Sequence, residues 1–407
     1  MSSSLLADKA GRYLHKLCLE IPTRRVGSQG NRAATDFFAG TIESFGFETA
    51  SPEFDCIDWA QQGADLTVEG VPFKVLVSPY SLGVQASTTL VVVSTLAELE
   101  AAELSGWIVL LGGEIAREQL MPKNFSFYNP EEHQRIIRWL EAKGPQAILA
   151  ATSRNPEMAG AVYPFPLIED GDFDIPSVFM TEEEGNRLAG YAGQVVRLDS
   201  RARRSPARGC NVIARKGAHG ERRVVLFAHI DAKDGTPGAL DNATGTVVLL
   251  LLAELLADYA GHLGIEIVAL NGEDYYSAPG EQQYLRMNAG RFSDVVLGVN
   301  LDGVGYPHGD TAYSLYNCPP GLAVSIHAAF AAHPGLVEGE PWYQGDHGLF
   351  LMNQVPALAI TSQRFGEILA EIAHTPKDRP ELVDTPRLVE AALALRDLVW
   401  HLDRDQA

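Results

Sequence analysis

Three short apolar runs in the second half of this 407-residue chain each lead straight into a histidine or a carboxylate. RRVVLFA runs into His229, GIEIVAL into the tetrad Asn271, Gly272, Glu273 and Asp274, and VVLGVNL into Asp302. Runs this short and this uniformly apolar read as strands buried on both faces, which belong in parallel sheets covered by helices. Helical spacing fills the intervals at 244–257, 280–289, 320–332 and 385–402, and PALAIT adds a further strand. Near the start, Leu5, Leu6, Ala10, Tyr13, Leu14 and Leu17 mark one amphipathic helix, and Ala34, Phe37, Phe38, Ile42 and Phe45 mark a second. Gly46 stops that second helix and FETAS follows as a strand. The expected fold class is α/β, with a mixed, mostly parallel sheet sandwiched by helices.

Between about 56 and 200 the texture changes to short β-rich runs, DLTVEG, TTLVVVS, GWIVLLGG, AILAAT and IPSVFM, with two helical stretches near 96–104 and 130–143. A chain of this length suits two domains better than one core. The expected division is a discontinuous catalytic domain, 1–55 plus 201–407, and an inserted, smaller β-rich α+β domain, 56–200.

The formal net charge of −20 argues against nucleic acid or an anionic membrane as partner, because both need basic patches. It suits a ligand with a positive charge, such as the free amine of a peptide. Cys18, Cys56, Cys210 and Cys318 lie far apart with no CxxC pair, the usage of a reducing compartment. The first residues read as a helix without a signal peptide's apolar stretch, and the apolar run 247–253 is far short of the ~20 residues of a membrane span. The expected location is therefore cytoplasmic.

Ligands in open α/β sheets bind outside the carboxyl ends of the strands. His229, the pair Glu273 and Asp274, and Asp302 all stand there, and Asp241, in GALDNATG, precedes the helix at 244 and faces the same edge. One such residue alone is most often a cap, a turn residue or a structural histidine; the set on successive strand ends is the donor inventory of a hydrolytic metal site. Imidazole with carboxylate suits zinc, with cobalt or manganese as alternatives. A carboxylate between two metals bridges them, and a free one beside them moves the proton of the attacking water. In the pair Glu273–Asp274 one side chain binds metal while the other stays free. Asp231, two residues after His229, is positioned to orient its ring, and His374, in IAHTPKD, is the best second imidazole. His347, in QGDHGLF, is a candidate supporting residue. There is no GxSxG elbow, no GxxxxGK[ST] loop and no HExxH.

In this order AHID, GALDNATG, NGED, NLDGVG and AHTPKD resemble the co-catalytic zinc aminopeptidases of the aminopeptidase Y and bacterial leucyl aminopeptidase type, with glutaminyl cyclase a more distant relative. The resemblance covers about 207–407, and RVGSQGN with its helix matches the family's N-terminal part. GWIVLLGG, GPQAILAAT and DIPSVFMTEEEGNRL resemble, more loosely, the protease-associated domain inserted in that family. The resemblance implies a zinc-exopeptidase fold with two zinc ions. His229 and Asp302 would hold one metal, Asp274 and His374 the other, and Asp241 would bridge. Glu273 would be the general acid/base, Asp231 would support His229, and the peptide between Asp241 and Asn242 would be cis. Asp274 departs from the family's usual glutamate and is one methylene shorter, which would loosen the second metal. The family's oxyanion-holding tyrosine is matched to Tyr343, with Tyr275 and Tyr276 as pocket-lining alternatives. The implied activity is removal of N-terminal residues from peptides or small aminoacyl substrates. The rivals are a cyclotransferase, a carboxypeptidase or dipeptidase using Arg364 or Arg286 for a terminal carboxylate, and a non-catalytic binding homologue.

Overall fold

The structure is a computed structural model that describes residues 2–21, 23–125, 129–154, 163–217, 222–275, 277–343 and 345–404. The chain divides into two compact units, Met1–Cys56 with Arg208–Ala407, and Ile57–Ala207.

The first unit is built on an eight-stranded sheet, in the order Glu48–Ala50, Val212–Lys216, Gly264–Leu270, Arg223–His229, Val295–Leu301, Ala357–Ser362, Thr311–Tyr316, Leu336–Glu338. The four central strands, Gly264–Leu270 through Ala357–Ser362, are parallel neighbours. The antiparallel pairings lie outside them. Every residue of Arg223–His229, Gly264–Leu270 and Ala357–Ser362 is buried, as uniformly apolar runs in a two-face-covered sheet should be. The expected mixed α/β sheet is therefore present.

Helices cover both faces. Thr244–Leu255 is buried from Thr244 through Ala253 because nearly all its side chains are apolar. It packs against Arg223–His229 on one side and against the helices Ser3–His15 and Thr385–Arg404 on the other. Burying each of its leucines contributes about 1.5–3 kcal/mol. Strand alternation sends Leu226 into this core and Phe227 to the opposite face, where Phe350 stacks on it at 4.8 Å. Gly298 makes room for that ring, since a Cβ there would lie 2.6 Å from Phe350. Phe292 meets the same ring edge-on at 6.0 Å.

The second unit has a mixed sheet in the order Val71–Phe73, Glu53–Val68, Val195–Cys210, Val84–Val93, Ile108–Leu111, Ala147–Thr152, Ser177–Thr181, Leu76–Val77. Its helices are Leu96–Ala101, Glu131–Lys143 and Glu182–Ala189. The third was not expected, although its signals are local: the Thr181 hydroxyl accepts from Glu184 N at 3.2 Å, and three glutamates fill the first turn. The units divide at 56/57 and 207/208, against an expected 55/56 and 200/201. The polar tract SRARRSPARG, where the expected boundary falls, forms part of the 16-residue strand Val195–Cys210. All four cysteines are free thiols.

Candidate metal centre

Parallel register sets the site. His229 is the last residue of its strand and pairs with Leu270, so the loop carrying Glu273 and Asp274 leaves the sheet at the same edge. Asp302 follows Val295–Leu301 and stays tied to the next strand through its N–H, which donates to Ile360 O at 3.0 Å. Asp241 lies in the turn Ala239–Ala243, and the Asp241–Asn242 peptide is cis. The Asn242 amide fastens that turn to the strand bearing Asp302: Nδ2 donates to Leu301 O at 2.7 Å and Oδ1 accepts from Gly245 N at 3.0 Å. Gly245 allows this approach, because a Cβ there would lie 2.5 Å from both Asn242 Oδ1 and Leu301 O. His374 follows the helix Phe365–Glu371 with φ +62°, a left-handed conformation that costs a non-glycine residue about 1–2 kcal/mol.

These side chains converge on Asp241. Its Oδ1 is 3.1 Å from His229 Nε2 and its Oδ2 is 2.9 Å from His374 Nε2. His229 Nε2 also lies 3.8 Å from Asp302 Oδ1, and His374 Nε2 lies 3.2 Å from Asp274 Oδ1. One oxygen of Asp241 thus belongs to a His229–Asp302 group and the other to a His374–Asp274 group. Donor atoms of His229, Asp241 and Asp274 also fall within 4.8 Å of one another, so the two groups adjoin. The shorter carboxylate of Asp274 reaches its histidine.

The residues fit a metal on two grounds. Both ring nitrogens of His229 and Oδ2 of Asp274 are buried with no aligned hydrogen bond among the described residues, which is expensive for groups held for nothing. The donor chemistry is also right. Two donors about 2.1 Å from one tetrahedral zinc stand roughly 3.4 Å apart, and the observed separations of 2.9–3.8 Å bracket that.

The electrostatics are those of a crowded acidic pocket. Burial alone would depress both histidines, but the close carboxylates, Asp241 and Asp302 beside His229 and Asp274 and Asp241 beside His374, hold them well above the usual imidazole range. Burial works against Asp241 too, yet the two imidazoles keep it well below the ordinary carboxylate range. Glu273 is raised well above its usual range, first by burial and then by Asp274, Asp346 and Asp302, with His229 opposing. Metal binding displaces protons from such groups, so affinity falls as pH drops.

Several expected residues behave differently. Asp231 lies 3.8 Å from His229 Nδ1, while its two oxygens accept from Gly272 N at 2.7 Å and Asp274 N at 3.0 Å. It therefore holds the Asp274 loop more directly than the imidazole. Tyr343 is poorly suited to the role expected of it. Its side chain is 76% exposed, with its ring edge-on to Tyr316 at 5.8 Å, and a phenol in bulk water is a poor oxyanion stabiliser. Tyr275 is buried, and Tyr276 lies outside the described residues. His347 is fully buried with Nε2 2.9 Å from Trp342 O, and burial pushes its pKa down to about 4, so it is a neutral packing and orienting group.

Three residues were missed. Asp378 accepts from the Leu240 and Asp241 amides at 2.7 and 3.0 Å. Glu281 and Asp346 are fully buried carboxyls that share a hydrogen bond, with burial the main cause of raised pKa values, about 8 for Glu281. Asp378 and Asp346 each sit within a motif already singled out, AHTPKD and QGDHGLF.

The two-unit α/β fold is that of known aminopeptidases. The aminopeptidase of Aneurinibacillus sp. strain AM-1 superposes with a TM-score of 0.76 at 19% identity, over 97% of this chain and 93% of that one. BSAP, a zinc aminopeptidase from Bacillus subtilis, superposes with a TM-score of 0.74 at 19% identity, over 97% and 94%. Residues 211–399 match the family described as Peptidase family M28. The probable lipoprotein aminopeptidase LpqL of Mycobacterium tuberculosis (strain ATCC 25618 / H37Rv) is 24% identical over 292 residues, 70% of this chain but 56% of that relative's length. The resemblance to zinc aminopeptidases read from the motifs is borne out by these matches. Among the described residues, no helix is long and apolar enough to cross a membrane.

Proposed function

We propose that this chain is a zinc-dependent aminopeptidase with a co-catalytic pair of metal positions. The observation that carries the reading is the division of Asp241, whose two oxygens face His229 at 3.1 Å and His374 at 2.9 Å. His229, Asp241 and Asp302 would hold one ion, and His374, Asp241 and Asp274 the other. Zinc bound there supplies Lewis-acid polarisation of the scissile carbonyl and lowers the pKa of water at the site.

The chain's own groups do the rest. Glu273 is not a ligand in this scheme, and its carboxylate takes a proton from the attacking water and returns it to the leaving amine nitrogen. Asp231 orients the Asp274 loop through two backbone amides. The concentration of carboxylates favours a substrate bearing a free ammonium group. The apolar cluster of Leu240, Tyr306, Ile368, Ile372 and Ala373, edged by half-buried Phe365 and Leu369, adjoins Asp241 and His374 in the chain and supports an apolar first residue. The carboxypeptidase reading is weaker. Arg364 is engaged by Glu367 at 2.9 Å, and Arg286 lines a separate polar cavity of about 350 Å³ with Glu53, Asp55 and Arg208. We read the unit Ile57–Ala207 as a protease-associated-like module.

Aminoacyl-chromophore hydrolysis by wild type and Glu273→Gln tests this reading. Loss of the proton carrier lowers kcat by about 10²–10⁴-fold with zinc still bound. Full activity in Glu273→Gln sinks the mechanism.

A further inference from the structure

Asp241 and His374 face each other at 2.9 Å, although their loops are far apart in sequence. One buried carboxylate spans those loops. Asp378 is 0% exposed; its Oδ1 accepts from Leu240 N at 2.7 Å and its Oδ2 from Asp241 N at 3.0 Å, while its carbonyl accepts from Ala239 N at 3.3 Å. Three successive amides of the turn are thus held by one residue.

The His374 side is equally constrained. Thr375 Oγ1 donates to Ile372 O at 2.7 Å and accepts from Lys377 N at 3.0 Å, and Asp378 N donates to Thr375 O at 3.1 Å. This small turn holds His374 in its left-handed conformation. The other flank of the Asp241 turn is gripped by buried Arg24, whose guanidinium donates to Pro237 O at 2.8 Å and Gly238 O at 2.7 Å. Carbonyls 237 and 238 and amides 239 to 241 therefore all have a partner in Arg24 or Asp378, and the turn has little freedom of its own.

We propose that Asp378 is a positioning residue that joins the Asp241 and His374 loops into one rigid element and so sets the affinity of the metal position containing His374. It touches no substrate and acts through the backbone amides of Ala239, Leu240 and Asp241. The inference rests on the metal-centre reading above.

Asp378→Asn keeps the shape but turns one acceptor into an N–H₂ facing a backbone N–H. Zinc titration of the full chain, with His374→Ala identifying the step that involves His374, reads the effect. That step weakens by about 10–100-fold in Asp378→Asn, the range for residues that orient ligands without binding metal. Hydrogen exchange in the peptide 238–243 accelerates in the same variant, whether or not zinc is present. An unchanged zinc step, or an equal loss at both steps that merely tracks a fall in Tm, overturns the proposal. Thr375→Val loosens the other end of the element without touching Asp378, which covers the case of an Asp378→Asn protein that does not fold. It weakens the same step by a smaller factor, and no change there also overturns the proposal. Wild-type protein that takes up no zinc overturns the metal-centre reading and this inference with it. Wild type that binds zinc beside an unaffected Asp378→Asn overturns this inference alone.

Discussion

Glu281 offers a prediction whose sign and size both follow from the structure. It sits in the first turn of the helix Pro279–Met287, 4% exposed, hydrogen-bonded to the equally buried Asp346, with its Oε2 lacking a partner among the described residues. Burial, helped by Glu273 and Asp231, raises its pKa from 4.5 to about 8. Below pH 4.5 the carboxyl is protonated in both folded and unfolded chains and costs nothing. Between 4.5 and 8 the folded chain holds a proton that the unfolded chain releases, so stability falls as pH rises through this window. At about 1.36 kcal/mol per pKa unit, the ceiling on that loss is roughly 5 kcal/mol, and relaxation reduces it to about half. Glu281→Gln removes the titration and gives Asp346 an amide donor. Urea unfolding of chelator-treated wild type and variant at pH 5 and pH 8 measures the difference. The variant gains about 2 kcal/mol over wild type between the two pH values, a difference that reports Glu281 together with its hydrogen-bonded partner Asp346, the more distant titrations cancelling in the comparison. An advantage of equal size at both would show that Glu281 is already ionised in its buried slot, and the reasoning would fail.

Three further outcomes follow from packing. Gly245→Ala puts a Cβ 2.5 Å from Asn242 Oδ1 and Leu301 O and 2.9 Å from Ala228 Cβ, so it destabilises by about 1–3 kcal/mol in urea melts; a neutral effect would mean the turn is not clamped. Asp274→Glu restores the longer carboxylate but must fit it where Asp274 is 5% exposed and already 3.2 Å from His374, so zinc binds no more tightly in isothermal titration, and tighter binding would contradict the geometry. Tyr343→Phe leaves kcat on aminoacyl chromophores within about 2-fold, far below the 10²–10³-fold of a lost oxyanion donor; a loss of that size would restore Tyr343 to the site.

Much of the catalytic unit was legible because its information is local. RRVVLFA, GIEIVAL, VVLGVNL and PALAIT are apolar without alternation, and each became a buried strand of the sheet. Residues that end or follow such strands gather at one edge by topology alone, which is why His229, Asp274 and Asp302 could be named together. What stayed hidden is pairing across distance. Glu281 and Asp346 look like surface acids until the fold buries them against each other, and Asp378 is silent because it works on backbone amides of a remote turn. Val195–Cys210 was harder to read because its second half carries charged residues at both strand parities and its burial alternates only in part. Tyr343 was assigned by its nearness to QGDHGLF in sequence, and its exposure weighs against that assignment.

Anomalous diffraction at the zinc edge, on crystals of zinc-loaded protein, tests the central claim most directly. The account predicts two peaks flanking Asp241, one beside His229 and Asp302 and one beside His374 and Asp274. A single peak, or a peak whose ligands exclude Asp241, would contradict it.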